Sequence, residues 1–218
     1  MLRYIYGADL HHHKRLADSM FTDRADQFKT RLKWDVRVDG NGHERDEYDA
    51  MNPLYVIWQR ADGLHGGSMR LLPTTEGCMV NDHFLHLTGG VAIKSPLIWE
   101  CTRFCLARGA SAQVAGALML AGGEVLDGLG IEHFLGLFDA RMERIYRQIG
   151  ASPDIIGSTG AGRNKISVGL WETTPMHRAA VARRAGLSLE LSKLWFTRAF
   201  GRGAAPAKTR AVRQLELV

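Results

Sequence analysis

The chain has 218 residues, of which 45% are hydrophobic, enough to fill the core of one large domain or two small ones. Cys78, Cys101 and Cys105 have the spacing of neither a disulfide framework nor a metal knuckle, so we expect reduced thiols and a cytoplasmic protein. No segment approaches the roughly 20 apolar residues of a membrane span, and the N-terminus lacks the pattern of a signal peptide.

The charge is unevenly distributed along the chain. The net charge is +5, but residues 1–140 carry 14 Lys and Arg against 18 Asp and Glu, whereas residues 141–218 carry 14 against 5. A basic surface suits nucleic acid, a membrane surface or an acidic protein, and a solvated surface with a basic tail is an equally good interpretation. Nucleic acid is disfavoured because the sequence contains no recognisable nucleic-acid-binding module.

The first half of the chain is predicted to contain mainly strands. Alternating residues over 2–7 indicate a strand, and apolar residues at helical spacing over 9–32 indicate a helix with a break. The three histidines at 11–13 point in different directions on a helix, so we expect them to be solvated rather than to bind metal. Further predicted elements are strands over 53–59 and 66–73, a short helical turn over 81–87 capped by Asn81 or Asp82, and a strand over 97–106.

Helices and strands alternate in the second half. The predicted elements are helices over 111–130, 139–150 and 174–186 and strands over 131–138 and 165–171. We expect the three helices to begin at Ser111, Asp139 and Thr174. This order predicts an α/β (α+β) fold with a mixed sheet flanked by helices. Residues 1–200 are expected to form one domain, and residues 201–218 a flexible basic tail.

The predicted strand over 97–106 carries two charged residues. Strict alternation places Ile98, Glu100, Thr102 and Phe104 on one face and Trp99, Cys101, Arg103 and Cys105 on the other. Charges in an otherwise apolar strand must pair or bind something, because burying an isolated ion costs several kcal/mol. A structural salt bridge would satisfy this requirement, and so would a charged ligand.

A second charged group is the acidic segment ERDEYD at residues 44–49. An acidic loop by itself is usually solvated, but here it accompanies several arginines and two aromatic residues. A cationic part of a ligand would contact the carboxylates and an aromatic face, and a ligand carboxylate would contact an arginine. The combination therefore suits a ligand that carries both charges.

These residues, in this order, resemble the acyl-homoserine-lactone synthases, the autoinducer synthases of bacterial quorum sensing. The resemblance covers about residues 1–200 and includes the motifs ExDxxD at 44–49, MRLLPTT at 69–75 and WECTRF at 99–104. The matching positions are Arg24, Phe28, Trp34, Glu44, Asp46, Asp49, Arg70, Phe84, Glu100 and Arg103.

The resemblance implies a three-layer sandwich related to the GCN5-type N-acetyltransferases, in which two central strands splay apart and admit an acyl-phosphopantetheine arm. It also implies that an acyl chain passes from acyl carrier protein, or from acyl-CoA, to the amine of S-adenosylmethionine. The product then closes to a lactone and releases 5′-methylthioadenosine. Both molecules are substrates, so no permanently bound cofactor and no metal are expected.

The resemblance also assigns roles to the matching residues. Glu100 is the expected general base, and backbone N–H groups near residues 101–104 are expected to polarise the thioester carbonyl. The acidic cluster is expected to oppose the sulfonium and ammonium charges of the substrate. The expected catalytic group comprises Glu100, Arg103, Asp46 and Asp49, and the expected S-adenosylmethionine-binding group comprises Arg24, Phe28, Trp34, Glu44 and Arg70.

The acyl chain and its carrier are expected to bind elsewhere. The predicted acyl pocket comprises Phe84, Leu118, Leu135, Gly136 and Leu137. Synthases that prefer 3-oxo chains often carry threonine where this chain has Gly136, so we expect unsubstituted or 3-hydroxy chains of medium or long length. An acidic carrier protein would be attracted to basic residues of the C-terminal part. These are Arg144, Arg147, Arg163, Lys165 and Arg178.

Two alternatives to this function remain open at the level of sequence. One is an acyl-CoA-dependent N-acyltransferase that acts on another amine, and release of methylthioadenosine distinguishes the two activities. The other is a non-catalytic S-adenosylmethionine-binding regulatory module, in which replacing Glu100 by glutamine would leave binding intact and change no turnover.

Overall fold

The computed structural model describes residues 1–201, and its centre is a seven-stranded mixed sheet with the order β1-β2-β3-β4-β5-β7-β6. All neighbouring strands are antiparallel except β4 and β5, which are parallel. The strands are β1 (Leu2–Tyr6), β2 (Leu54–Gln59), β3 (His65–Pro73), β4 (Ile98–Leu106), β5 (His133–Asp139), β6 (Asp154–Thr159) and β7 (Ile166–Trp171).

Helices cover both faces of the sheet, which confirms the predicted three-layer arrangement. The helices are α1 (Lys14–Ala25), α2 (Met79–His83), α3 (Ala112–Leu129), α4 (Ala140–Ile149), α5 (Pro175–Ala185) and α6 (Leu189–Phe200). A π-helical segment, Asp26–Arg31, extends α1, and short 3₁₀ segments lie at Gly7–His13, Glu47–Ala50, Leu85–Thr88 and Gly162–Asn164. No helix among residues 1–201 is long and apolar enough to cross a membrane.

Each face of the sheet has its own apolar core. Met69 and Leu71 of β3 pack with Leu118 of α3, whereas Tyr55 and Ile57 of β2 pack with α1 on the opposite face. The alternating side chains of these strands therefore supply two separate cores, as expected for a sheet covered on both sides.

Close packing on α3 depends on its glycines. A Cβ atom at Gly128 would lie 2.3 Å from the ring of Phe196 on α6, and one at Gly116 would lie 2.8 Å from the Cβ of Ala185 on α5. These contacts bring both C-terminal helices against α3. Any larger residue would push the helices apart, because a packed interior has little spare volume.

Three of the predicted helix caps occur where the sequence places them. The Asp139 side chain accepts a hydrogen bond from Met142 N, and that of Thr174 accepts one from His177 N. Ser111 is the N-cap residue of α3. The predicted cap of α2 is wrong, because α2 begins at Met79 and its first N–H groups are bound by the carboxylate of Glu100 on β4.

Two elements, β6 and α6, have no counterpart among the sequence predictions. Strand β6 lies at the edge of the sheet, pairs only with β7 and is largely exposed, so its residues lack the alternation of a half-buried strand. Ser158 and Thr159 end this strand. The predicted tail, except for Gly201, lies outside the described residues.

Candidate active site

A closed ring of ion pairs lies between α1 and the sheet. Three arginines alternate with three carboxylates, so that each side chain contacts two partners of opposite charge. In order around the ring, the members are Arg24, Glu44, Arg103, Asp46, Arg70 and Asp49. The formal charges of the ring cancel, which removes the repulsion that the acidic sequence would otherwise create.

The inner part of the ring centres on Arg24, which projects from α1. Its Nε lies 2.6 Å from Glu44 Oε2, and its two terminal nitrogens lie 2.8 and 2.9 Å from the two oxygens of Asp49. The Tyr55 hydroxyl donates a further hydrogen bond of 2.6 Å to Asp49. Burial by itself raises the pKa of Asp49, but its hydrogen bonds and attraction to Arg24 hold that pKa well below its usual range.

The outer part of the ring faces the solvent. Arg103 Nη2 lies 2.9 Å from Glu44 Oε1 and 2.7 Å from Asp46 Oδ2, and Arg70 Nη2 lies 2.9 Å from the same Asp46 oxygen. The side chains of Asp46 and Arg103 are 12% and 10% exposed, whereas that of Glu44 is fully buried. The anionic Asp46 and the cationic Arg103 are therefore the ring members best placed to contact a ligand.

A short 3₁₀ segment explains the crowding of carboxylates in the sequence. Asp46 caps the segment Glu47–Ala50 by accepting a hydrogen bond from Tyr48 N, and Asp46 N donates to Asp49 Oδ2 at 2.9 Å. This capping box turns Asp46 and Asp49 towards the arginines. The local sequence thus builds the turn, and the arginines from α1, β3 and β4 neutralise it.

Strand β4 contains a bulge that places Arg103 in the ring. Arg70 pairs with Thr102 and Ser68 with Cys105, so two residues of β4 lie opposite one residue of β3. Arg103 itself has a φ of +51°, an unusual backbone conformation for a residue other than glycine. Strict alternation is therefore wrong beyond Thr102: Arg103 joins the face of Glu100 and Thr102, and Phe104 packs with the α3 core.

Two aromatic rings flank the exposed part of the ring of ion pairs. Phe28 and Trp34 are stacked, with centroids 5.2 Å apart and planes 12° apart, and the Arg103 guanidinium carbon lies 5.4 Å from the Phe28 centroid. Phe28 is buried, but Trp34 is 48% exposed. The sequence-predicted aromatic residues therefore lie beside the predicted charges, and Trp34 presents its surface to solvent.

Glu100 lies outside the ring, two residues before Thr102 on the same strand face. Its carboxylate is buried and accepts hydrogen bonds from Met79 N at 2.9 Å and Val80 N at 2.7 Å. Burial raises the pKa of Glu100, while these two bonds and the charge of Arg70 oppose the rise. A carboxyl whose pKa is raised towards neutral is a stronger base than an ordinary one.

Strands β4 and β5 separate immediately beyond Glu100. They pair only at three positions, the last of which is Glu100 with Leu135, and then diverge to form a fork. Gly136 follows at the fork, where a Cβ atom would lie 3.1 Å from Cys101 O and 3.1 Å from the indole of Trp171. The indole thus occupies the space that a side chain at position 136 would need.

The sequence-predicted acyl-pocket residues do not surround a single cavity. Leu118 belongs to the core between the sheet and α3, whereas Phe84, Leu135 and Leu137 pack together on the opposite face. Leu118 is therefore separated from the other three residues by the sheet, and the role of this set in binding the acyl chain stays a prediction. Trp171 is absent from the sequence-predicted pocket, but its indole lies at the fork, 3.1 Å from the place of a Cβ atom at Gly136.

A buried histidine connects α1 to β3 behind the ring. His65 Nδ1 lies 2.7 Å from Asp23 Oδ2, and His65 Nε2 lies 3.0 Å from Ser68 Oγ. Burial lowers the pKa of His65, and the bond to Asp23 offsets only part of that effect. The hydroxyl of Ser68 is buried with the histidine, so we regard this line of three residues as a structural link between the two elements.

The lowered pKa of His65 predicts how stability depends on pH. The unfolded chain binds this proton more readily than the folded protein, so the free energy of unfolding falls as the pH drops below the ordinary value of about 6.5. We expect His65→Gln to reduce that slope between about pH 7 and pH 5. Urea unfolding at a series of pH values gives the free energy of unfolding of the wild type and of His65→Gln. The same pH dependence in the two proteins would contradict the expectation.

The fold and the fork define a class of protein. A putative N-acetyltransferase from Lactobacillus plantarum superimposes with a TM-score of 0.51 at 15% identity, over 79% of this chain and 99% of that chain, which shows a shared fold. This similarity places the chain in the N-acetyltransferase fold class, with a polar site beside a pair of diverging strands.

Closer relatives identify the family. The model of the autoinducer synthase family matches residues 8–181. An acyl-homoserine-lactone synthase from Rhizobium etli is 38% identical over 183 residues, 80% of this chain and 85% of its relative. The chain therefore belongs to the autoinducer synthase family, and it is an enzyme, an acyltransferase of the acyl-homoserine-lactone synthase type.

Solved structures agree with this assignment. MesI, a CoA-dependent acyl-homoserine lactone synthase, has a TM-score of 0.76 at 25% identity, covering 86% of this chain and 96% of its own. TofI, solved in a ternary complex with an inhibitor and MTA, has a TM-score of 0.66 at 27% identity. The match covers 80% of this chain and 91% of the TofI chain. The predictions of family, fold class and enzyme class are confirmed.

Proposed function

We propose that the ring of ion pairs and the Phe28–Trp34 stack bind S-adenosylmethionine. The observation that carries the proposal is the solvent-facing pair of Asp46 and Arg103 beside the exposed face of Trp34. Asp46 suits a positively charged group, Arg103 suits the substrate carboxylate, and the indole suits the adenosine or sulfonium portion. That TofI was solved with MTA supports a nucleoside site in this family.

This arrangement revises the role expected for the acidic cluster. Glu44 and Asp49 are buried and fully paired with arginines, so they contribute shape and rigidity rather than free negative charge. Only Asp46 retains an exposed edge among the three carboxylates. A preorganised site of this kind holds the substrate in one orientation, which favours both steps of the reaction.

In the first step, Glu100 accepts a proton from the substrate ammonium, directly or through a water molecule, because a protonated amine cannot attack a thioester. The amine nitrogen then bonds to the thioester carbon, and the carbon–sulfur bond to the carrier breaks. The nitrogen loses its second proton as the amide forms, and the departing thiolate takes up that proton. Backbone N–H groups beside the β4 bulge can stabilise the oxyanion that forms in between.

In the second step, the carboxylate of the same molecule attacks its own γ-carbon. A carbon–oxygen bond forms, the carbon–sulfur bond of the sulfonium breaks, and 5′-methylthioadenosine leaves as a neutral molecule. The nucleophile and the leaving group already belong to one molecule, so orientation supplies most of the acceleration. Arg103 is the side chain best placed to hold that carboxylate before it attacks.

The test of this function is direct. The purified protein is incubated with S-adenosylmethionine and a series of acyl thioesters, and the products are analysed by mass spectrometry. We expect an acyl-homoserine lactone together with one equivalent of methylthioadenosine. An acylated amine without methylthioadenosine would instead indicate an N-acyltransferase that uses another acceptor.

The acyl donor is either an acyl carrier protein or acyl-CoA. An acidic carrier would meet basic residues between α4 and α5, of which Arg144 on α4 and Arg163 in the 3₁₀ segment Gly162–Asn164 are exposed. Others are partly neutralised, since Lys165 and Arg147 contact Glu143 and Arg178 contacts Glu124. MesI is CoA-dependent. The relative kcat/KM for one acyl chain on both carriers decides between the donors, with the carrier protein proposed as the natural one.

Trp171 is expected to limit the length of the acyl chain. Its indole lies over Gly136 at the fork, is held by a 2.8 Å hydrogen bond from Nε1 to Ala151 O, and packs against Phe138 and Tyr146. Replacing Trp171 by leucine should free space for about two methylene groups. The ratio of longer-chain to shorter-chain lactone should rise about tenfold, because each buried methylene is worth about 0.8 kcal/mol.

The control for this change is Trp195→Leu, which removes an indole that packs against Trp58, away from the fork. Competing acyl thioesters are mixed in one reaction, and the lactones are quantified by mass spectrometry. An unchanged product ratio in the Trp171 variant would show that the chain does not pass this indole.

A further inference from the structure

The edge of β4 that faces the fork needs hydrogen-bond partners. Beyond Glu100 this edge makes no pairing with β5. Successive residues of a strand direct their N–H and C=O groups to opposite edges. Ala107 N donates to Gly66 O next to β3, so the backbone groups of Leu106 point to the fork side. Buried or half-buried groups of this kind are costly when they are left without a partner.

A single glutamine side chain supplies two of these partners. Gln27 Nε2 donates to Phe104 O at 2.9 Å, and Gln27 Oε1 accepts from Leu106 N at 2.8 Å. The side-chain amide thus forms the pair of hydrogen bonds that a neighbouring strand would form. Arg31 reinforces it by donating to Leu106 O at 2.8 Å and to Gln27 Oε1 at 3.2 Å.

The π-helical segment Asp26–Arg31 directs the Gln27 side chain towards β4. Its wider turn follows α1 directly and presents Gln27 to β4 and Phe28 to the Arg103 side chain. Such turns occur often at functional sites, because they redirect neighbouring side chains. Of the two β4 residues that Gln27 binds, Phe104 lies in the bulge beside Arg103, and Leu106 lies two residues further along the strand.

We propose that Gln27 is a positioning residue for the acyl donor: its amide replaces the missing strand along β4 and holds that edge in place where the fork opens. The inference rests on the proposed function, since it concerns the donor used in that reaction. The ring of ion pairs fixes the Arg103 side chain independently, through Glu44 and Asp46. Loss of Gln27 should therefore weaken binding of the acyl donor more than binding of S-adenosylmethionine.

The test uses the full-length protein and Gln27→Met, which keeps the length of the side chain and removes both polar groups. Lactone formation is measured with octanoyl-CoA and S-adenosylmethionine as the varied substrates. We expect the KM for octanoyl-CoA to rise about tenfold, the equivalent of one to two lost hydrogen bonds, with the KM for S-adenosylmethionine changed less than about twofold. The control is Gln59→Met, which removes the Nε2 bond to Gly63 O on a distant hairpin.

Three results would overturn the proposal. Equal changes in both KM values, or a fall in kcat alone, would show that Gln27 has a general structural role. A lower KM for octanoyl-CoA would show that the donor itself displaces Gln27 from β4. If Gln27→Met does not fold, Gln27→Glu replaces it, with the same expectation, because a carboxylate oxygen would then oppose Phe104 O. Absence of lactone from the wild type with every thioester would refute the proposed function instead.

Discussion

Replacement of Arg24 by methionine is expected to lower the free energy of unfolding by about 3–5 kcal/mol. Arg24 is almost fully buried and makes three hydrogen bonds to Glu44 and Asp49, whose side chains are 0% and 6% exposed. Methionine fills much of the same volume but leaves Glu44 with Arg103 as its one arginine partner, and Asp49 with Arg70, Tyr55 and the backbone N–H of Asp46. The ring would then carry a net negative charge in a poorly solvated place.

The matched control is Arg60→Met. Arg60 pairs with Asp62 on the surface, where both side chains are nearly half exposed, so the same substitution should cost far less stability than Arg24→Met. Urea unfolding at neutral pH gives both values. Equal, small losses for the two variants would show that the ring is not held by charge pairing and would remove the basis for its rigidity.

Glu100→Gln is expected to lower kcat by about 10²–10⁴, the range typical of losing a general base. Glutamine matches glutamate in size but cannot take a proton from the substrate amine. It also presents one NH₂ group to the N–H groups of Met79 and Val80, so some loss of stability accompanies the change. Binding of S-adenosylmethionine, measured by calorimetry, should persist, which separates catalysis from folding.

Glu124→Gln provides the comparison for Glu100→Gln. Glu124 is also a buried glutamate, but it lies on α3, where it contacts Arg178 and takes no part in the proposed reaction. Its variant should retain wild-type kcat once it has folded. If kcat of Glu100→Gln stays within about threefold of the wild type, the carboxylate serves only to cap α2, and the proton acceptor must be sought elsewhere.

Much of the fold follows from local sequence rules. Period-two and helical patterns identify six of the seven strands among residues 1–201 and most helices, and the capping residues Asp139 and Thr174 mark helix starts correctly. Strand β6 and helix α6 escape these rules. The strand is exposed at the sheet edge, and the helix buries only Ser192 and Phe196 among its twelve residues, so neither has a strong apolar period.

Some residues of the candidate site are also indicated by the sequence, and others are recognised only in the structure. Arg103 stands out in the sequence because a charged residue seldom occurs in an apolar strand without a partner, whereas Arg24 and Asp46 are assigned by the family resemblance; the structure brings all three into one ring. Nothing in the sequence distinguishes Gln27 or Trp171 from ordinary polar and apolar residues. Their importance depends on the fork between β4 and β5, which exists only after distant segments have paired.

The sequence by itself determined the element types, the family and the residues that carry charge, because propensity, period and motif are local properties of the chain. The tertiary structure decided which charges remain exposed, which way Arg103 points and what fills the fork. Those outcomes depend on a bulge that shifts the register of β4 against β3, and on three arginines that neutralise the acidic turn from separate elements. Register and ion pairing are set by contacts between distant segments, so local rules do not contain them.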